Sequence, residues 1–149
     1  FLFDRVQPNN VIVINFANAD MLGHTGDFEA TRSSIEVLDT LLGEIAHRVV
    51  EANGVLAITA DHGNAEEMID HGTQRMKTSH TANPVPFILI SAQWEGHGTT
   101  QALCARRPLG GLSDVAPTIL AILGLPIPPE MTGANLLPLL VPESVIPSV

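Results

Sequence analysis

The chain contains no tyrosine, one tryptophan (Trp94) and one cysteine (Cys104), and its 7 basic residues are outnumbered by 16 acidic ones. Each shortage removes a class of function. So few aromatics make no platform on which single-stranded bases could stack. With a net charge of −9 there is no basic surplus to displace counterions from a phosphate backbone, so nucleic acid is not an expected partner. A lone cysteine forms no intrachain disulfide and fits a reducing compartment. The longest apolar stretch free of charge, near residues 85–92, is too short to span a bilayer. Asp4 and Arg5 interrupt the opening Phe-Leu-Phe before any secretory apolar region develops, so no membrane partner is expected either. Hydrophobic residues make up 45% of the chain and charged ones 15%, which excludes an extended disordered polymer. The acidic balance does not exclude a small phosphorylated substrate, because a bound cation reverses the local sign of charge.

What is present reads as one α/β domain over residues 1–149, a length at which a substantial core can form. Residues 11–16 (Val-Ile-Val-Ile-Asn-Phe) predict a strand covered on both faces, as in parallel sheets. A Gly-containing loop over 18–27 leads to a helix over 28–52. Ile35, Leu38, Leu42, Ile45 and Val49 form its buried stripe, and Asn53-Gly54 its left-handed stop. Residues 55–60 predict a second strand, completing a βαβ unit with a right-handed crossover. Asn64 is read as the cap of a short helix over 65–68, 70–83 as a surface loop, and 85–91 as a third strand entered through Pro84 and Pro86. An irregular stretch follows, with a weak edge strand over 101–105. Ser113 or Asp114 then caps a helix that ends at Gly124-Leu125-Pro126, and the proline-containing tail from Ile127 is expected along the surface. The fold class is thus α/β, a mostly parallel sheet with flanking helices.

Residues of metal-binding type collect just after the strands. Asp20 and His24 follow the first, Asp61 and His62 the second, and His80 precedes the third. Carboxyl ends of parallel strands open onto one edge, so these pairs are expected to converge there. Carboxylate with imidazole suits Mn²⁺, Zn²⁺ or Fe²⁺ better than Ca²⁺. Asp20 and His24 are either neighbours on a helical turn or the ends of a loop; Gly23 and Gly26 favour the loop. Asp61 and His62 can reach one ion only if the backbone leaves extended geometry, which Gly63 permits. His71 could stand in for His80. The bland reading of Asp-His-Gly-Asn (61–64) is a turn whose Asp and Asn bond to nearby backbone.

The stretches Asn-Phe-Ala-Asn-Ala-Asp-Met-Leu-Gly-His-Thr-Gly (15–26), Ile-Thr-Ala-Asp-His-Gly-Asn-Ala-Glu (58–66) and His-Thr-Ala-Asn-Pro-Val-Pro (80–86) resemble cofactor-independent (2,3-bisphosphoglycerate-independent) phosphoglycerate mutase. Leu-Ser-Asp-Val-Ala-Pro-Thr (112–118) and Pro-Glu-Met-Thr-Gly (129–133) extend the similarity, which covers about residues 11–137. The resemblance implies an alkaline phosphatase-like fold, incomplete at its N-terminal side. In this chain it implies one Mn²⁺ held by Asp20, His24 and His80 and a second by Asp61 and His62, with Zn²⁺ or Mg²⁺ as substitutes. It implies interconversion of 3- and 2-phosphoglycerate through a phosphoserine, in glycolysis and in the cytoplasm. The nucleophilic serine belongs to a segment with no counterpart here, so no catalytic residue is assigned within the chain, which is expected to be a fragment inactive alone. A sheet lacking strands would expose an apolar edge, making an oligomer an open expectation. Two alternatives stand: a phosphopentomutase-type phosphotransferase, disfavoured by Asn83-Pro84-Val85-Pro86, and a non-catalytic metal-binding module.

Overall fold

The computed structural model describes residues 11–96 and 108–141. The expected edge strand at 101–105, Cys104 and the opening Phe-Leu-Phe lie outside the described residues. The chain divides into two compact units, with the boundary between Ile88 and Leu89.

In the first unit, helix α1 spans Asn18–Gly23 and helix α2 spans Phe28–Glu51. The α2 start is set chemically: the Asp27 carboxylate accepts from the Ala30 N–H at 2.9 Å, and Glu29 sits in the positive first turn. Its end is set by Asn53, whose φ of 54° lets the Gly54 N–H return to the Val49 carbonyl at 2.8 Å. The expected stripe is weaker than its periodicity: Leu38, Leu42, Ile45 and Val49 are half-buried and Ile35 is exposed. Only Thr31 of α2 is fully buried. Strand β1 covers Leu56–Thr59 and pairs in a two-stranded sheet with strand β2, Phe87–Ile90, within which the division between the units falls.

Two expectations are corrected here. Residues 11–16 form no strand, and Val13 is 90% exposed. A run apolar on both faces is stable as a strand only between covering layers, and here Val11 to Ile14 are exposed, with only Phe16 half-buried, beside Leu22 and Leu38. The predicted βαβ unit is therefore not completed. Second, residues 18–23 are helical rather than loop. Gly26, at φ 74°, is the left-handed stop after α1 and its overhanging turn, whereas Gly23 is a buried close-approach position.

After β1, a 3₁₀ turn covers Ala65–Glu67. The stretch expected as an unpatterned loop doubles back on itself, with antiparallel bridges joining Ile69 to Met76 and Gly63 to Thr81. Asp70 shapes its tip: one carboxylate oxygen accepts from the N–H groups of Gly72 (2.9 Å) and Thr73 (2.7 Å) and from the Thr73 hydroxyl.

In the second unit a 3₁₀ turn at Leu112–Asp114 leads into helix α3, Val115–Ile122, and a short helix α4 covers Leu137–Leu140. Asp114 accepts from the Gly111 and Ala134 N–H groups, each at 2.7 Å, and Thr118 Oγ1 accepts from the Leu136 N–H at 2.9 Å. Gly133 lies against the Ser113 carbonyl so closely that a side chain there would collide with backbone. The tail is thus not merely superficial: Leu136, Leu137 and Val141 are buried. No helix among the described residues is long and apolar enough to cross a membrane.

Candidate metal centre

Asp20 and His24 lie one turn apart, Asp20 within α1 and His24 as its C-cap, so both side chains leave the same face. The Gly63–Thr81 bridge then draws His80 beside His62. The outcome is a compact donor group. Asp20 Oδ1 stands 3.3 Å from His24 Nε2 and 3.2 Å from His80 Nε2, and the two imidazole nitrogens are 3.0 Å apart. His24 Nδ1 donates to the Thr78 carbonyl at 2.6 Å. A carbonyl can only accept, so the proton sits on Nδ1 and the Nε2 lone pair of the neutral ring faces the cluster.

Two imidazole nitrogens and a carboxylate oxygen aimed at one another can share a proton, as the 3.0 Å His24–His80 contact does here, or surround a cation. Donor atoms at about 2.0–2.2 Å from an ion stand roughly 3–3.5 Å apart in tetrahedral or octahedral shells. The observed triangle meets that spacing, so Asp20, His24 and His80 fit a divalent cation in number, chemistry and geometry.

The remaining predicted ligands are placed less completely. His62 stacks on His80 with ring centroids 3.6 Å apart and an 18° tilt, and its Nε2 is 3.6 Å from Asp61 Oδ1. The Asp61 side chain itself is 90% exposed. His71 is not in the three-donor group.

Sequence reasoning missed the residues that hold the donors. Asn64, read as a helix cap, makes no side-chain cap bond. Its amide instead donates to Asp20 Oδ1 at 2.7 Å, across 44 positions of chain. That bond is the chief reason the Asp20 carboxyl is held below its usual value; partial desolvation opposes it, and attraction to His24, His80 and His62 adds to it. Asn64 Oδ1 is buried and has no donor among the described residues. Glu66 accepts from the Asn64 N–H at 2.6 Å, from the Thr81 hydroxyl and from the Asn83 amide at 2.9 Å. Burial pushes its carboxyl up, but these bonds outweigh burial and leave it below the usual range. Glu67 pairs with Lys77 at 2.7 Å and takes the other Asn83 amide proton at 2.8 Å. The only local signal for any of this was the polar density of Asp-His-Gly-Asn-Ala-Glu-Glu itself.

Known proteins provide the comparison. A 2,3-bisphosphoglycerate-independent phosphoglycerate mutase from Nostoc punctiforme is 53% identical over 131 residues, covering 86% of this chain and 24% of that protein. The protein of the same description from Thermomicrobium roseum is 50% identical over 126 residues, covering 85% and 23%. Among solved structures, phosphoglycerate mutase of Leishmania mexicana, crystallised at low cobalt concentration, aligns with a TM-score of 0.65 at 35% identity, over 82% of this chain and 24% of that one. The chain thus spans about a quarter of the length of these relatives. A family model described as the metalloenzyme superfamily matches residues 3–127. With that match covering most of its length, the chain belongs to the metalloenzyme superfamily.

Proposed function

We propose that this chain supplies the metal-binding part of a phosphoglycerate mutase, a cytoplasmic enzyme of glycolysis that interconverts 3- and 2-phosphoglycerate. The carrying observation is the triangle of Asp20 Oδ1, His24 Nε2 and His80 Nε2 at 3.0–3.3 Å. The mutase relatives at about half identity supply the reaction. On this reading residues 1–149 form one part of an alkaline phosphatase-like domain, and β1 and β2 belong to a larger, mostly parallel sheet. Asp20, His24 and His80 hold one Mn²⁺, and Asp61 with His62 contributes to a second, with Zn²⁺ or Mg²⁺ accepted by the same donors.

Bound divalent ions would neutralise phosphoryl oxygens and acidify a coordinated hydroxyl. The chain's own residues prepare for this. Thr78 fixes the His24 tautomer, so that Nε2 offers its lone pair without a proton shift. Stacking against His62 restricts the His80 ring. Asp20, charged across the neutral range, gives the site the anion that balances a dication. No serine of this chain is assigned as nucleophile, and the isolated chain is expected to show no mutase turnover.

Calorimetric titration of the 149-residue chain with Mn²⁺ tests the reading. His24→Ala and His80→Ala are each expected to weaken binding at least tenfold, since each removes one of three donors. Unchanged affinity in both variants would remove the assignment.

A further inference from the structure

Asn64 and Glu66 join the two sides of the donor group by a route that does not pass through the donors. The Asn64 side chain, in a residue 5% exposed, gives its amide N–H to Asp20 Oδ1 at 2.7 Å and approaches the Asp20 carbonyl at 3.4 Å. Its backbone N–H is taken by Glu66 Oε2 at 2.6 Å. The other Glu66 oxygen takes the hydroxyl of Thr81, the residue next to His80, which is itself bridged to Gly63. A continuous path of hydrogen bonds therefore runs from Asp20 to the His80 segment.

The orientation of the Asn64 amide is informative. Its Oδ1 is buried with no donor among the described residues, against Gly23, where a side chain on the glycine would collide with it. Turning the amide over would set its oxygen against the Asp20 carboxylate at bonding distance. The orientation is thus dictated by Asp20. A cap role is not served at all.

We propose that Asn64 is a positioning residue of the cation site. It occupies one lone pair of Asp20 Oδ1, fixes the carboxylate rotamer, and leaves the remaining lone pair aimed between His24 and His80. Glu66 anchors Asn64 to the His80 segment and so sets the distance between carboxylate and imidazole. The inference rests on the reading of Asp20, His24 and His80 as a divalent-cation site.

The test uses the full 149-residue chain and Mn²⁺ alone, read by calorimetry and by melting with and without the ion. Asn64→Leu keeps the branching and the number of side-chain heavy atoms, removes the donor to Asp20 and also removes the side-chain carbonyl. The expected result is Mn²⁺ affinity lower by about 10–100-fold, while the metal-free melting temperature holds and the Mn²⁺-induced rise shrinks. A residue with only a structural role would shift both melts together and leave the affinity alone. Should Asn64→Leu lose the folded far-UV spectrum, Glu66→Gln carries the same test, because Glu66 lies outside the donor group. Weaker binding there supports the proposal and unchanged binding overturns it. A parent chain that binds no Mn²⁺ overturns the site and this inference together. A parent that binds, weakened by His24→Ala yet unaffected by Asn64→Leu, overturns the inference alone.

Discussion

Thr118 in the second unit is buried with both hydroxyl roles in use, and Thr118→Val isolates their worth. The residue is 0% exposed. Its hydroxyl donates to the Asp114 carbonyl at 2.7 Å and accepts from the Leu136 N–H at 2.9 Å. Valine matches the shape and deletes both bonds. The lost donor bond is worth about 0.5–1.5 kcal/mol, and the stranded Leu136 N–H adds about 1–3 kcal/mol of unmatched desolvation. The expected total is about 1.5–4.5 kcal/mol. Thr31→Val is the control. Thr31 is equally buried, but its hydroxyl only donates, to the Asp27 carbonyl at 2.8 Å, and that carbonyl keeps the Thr31 N–H at 3.0 Å. Nothing is stranded, so about 1 kcal/mol is expected. Urea unfolding separates the two. The single tryptophan, Trp94, is buried in the second unit and its fluorescence follows Thr118→Val, while far-UV dichroism from α2 follows Thr31→Val. Equal losses at unchanged m-value would refute the claim that a stranded donor, rather than a missing hydroxyl, sets the cost.

Two further outcomes follow from particular contacts. Gly43 lies in the interior of α2 with open space where a side chain would project, so Gly43→Ala is expected to stabilise by about 0.5–1 kcal/mol, measured as a higher urea midpoint. The Asp114 carboxyl is held below the usual aspartate value, first by the Gly111 N–H and then by the Ala134 N–H. A depressed folded value means its contribution is complete above the unfolded carboxylate value and is lost as pH falls through the folded one. Asp114→Asn should therefore flatten the acid limb of the Trp94 unfolding profile below about pH 4; an unchanged limb would count against the assignment.

Much of the frame is legible locally. Asp27, the three- and four-residue spacing, and Asn53-Gly54 mark α2 because each acts within a turn or two of itself. The strands at Leu56–Thr59 and Phe87–Ile90 fall inside the apolar runs that predict them. The failures are also physical. An apolar run such as 11–16 records a capacity for burial, not the presence of a covering layer. Gly23 and Gly26 look alike in sequence, yet one meets Asn64 and the other adopts positive φ. Leu136 and Leu137 are buried despite the prolines around them, because Thr118 and Asp114 capture the backbone on either side of Asn135. In the site, residue types and rough convergence are readable, but the choice of His80 over His71 depends on the Gly63–Thr81 pairing. Asn64 is hidden because its partner is 44 residues away.

The brevity of α1 has one last consequence. Six residues make too few turns to hold a helix in water without tertiary support. Asp20 and His24 keep their mutual attitude only while that short coil rests on α2 and the Ala65–Glu67 turn. On the proposed reading, cation binding is thereby tied to the integrity of the first unit, and an indicator dye that competes with the protein for Mn²⁺ would gauge how intact that unit is.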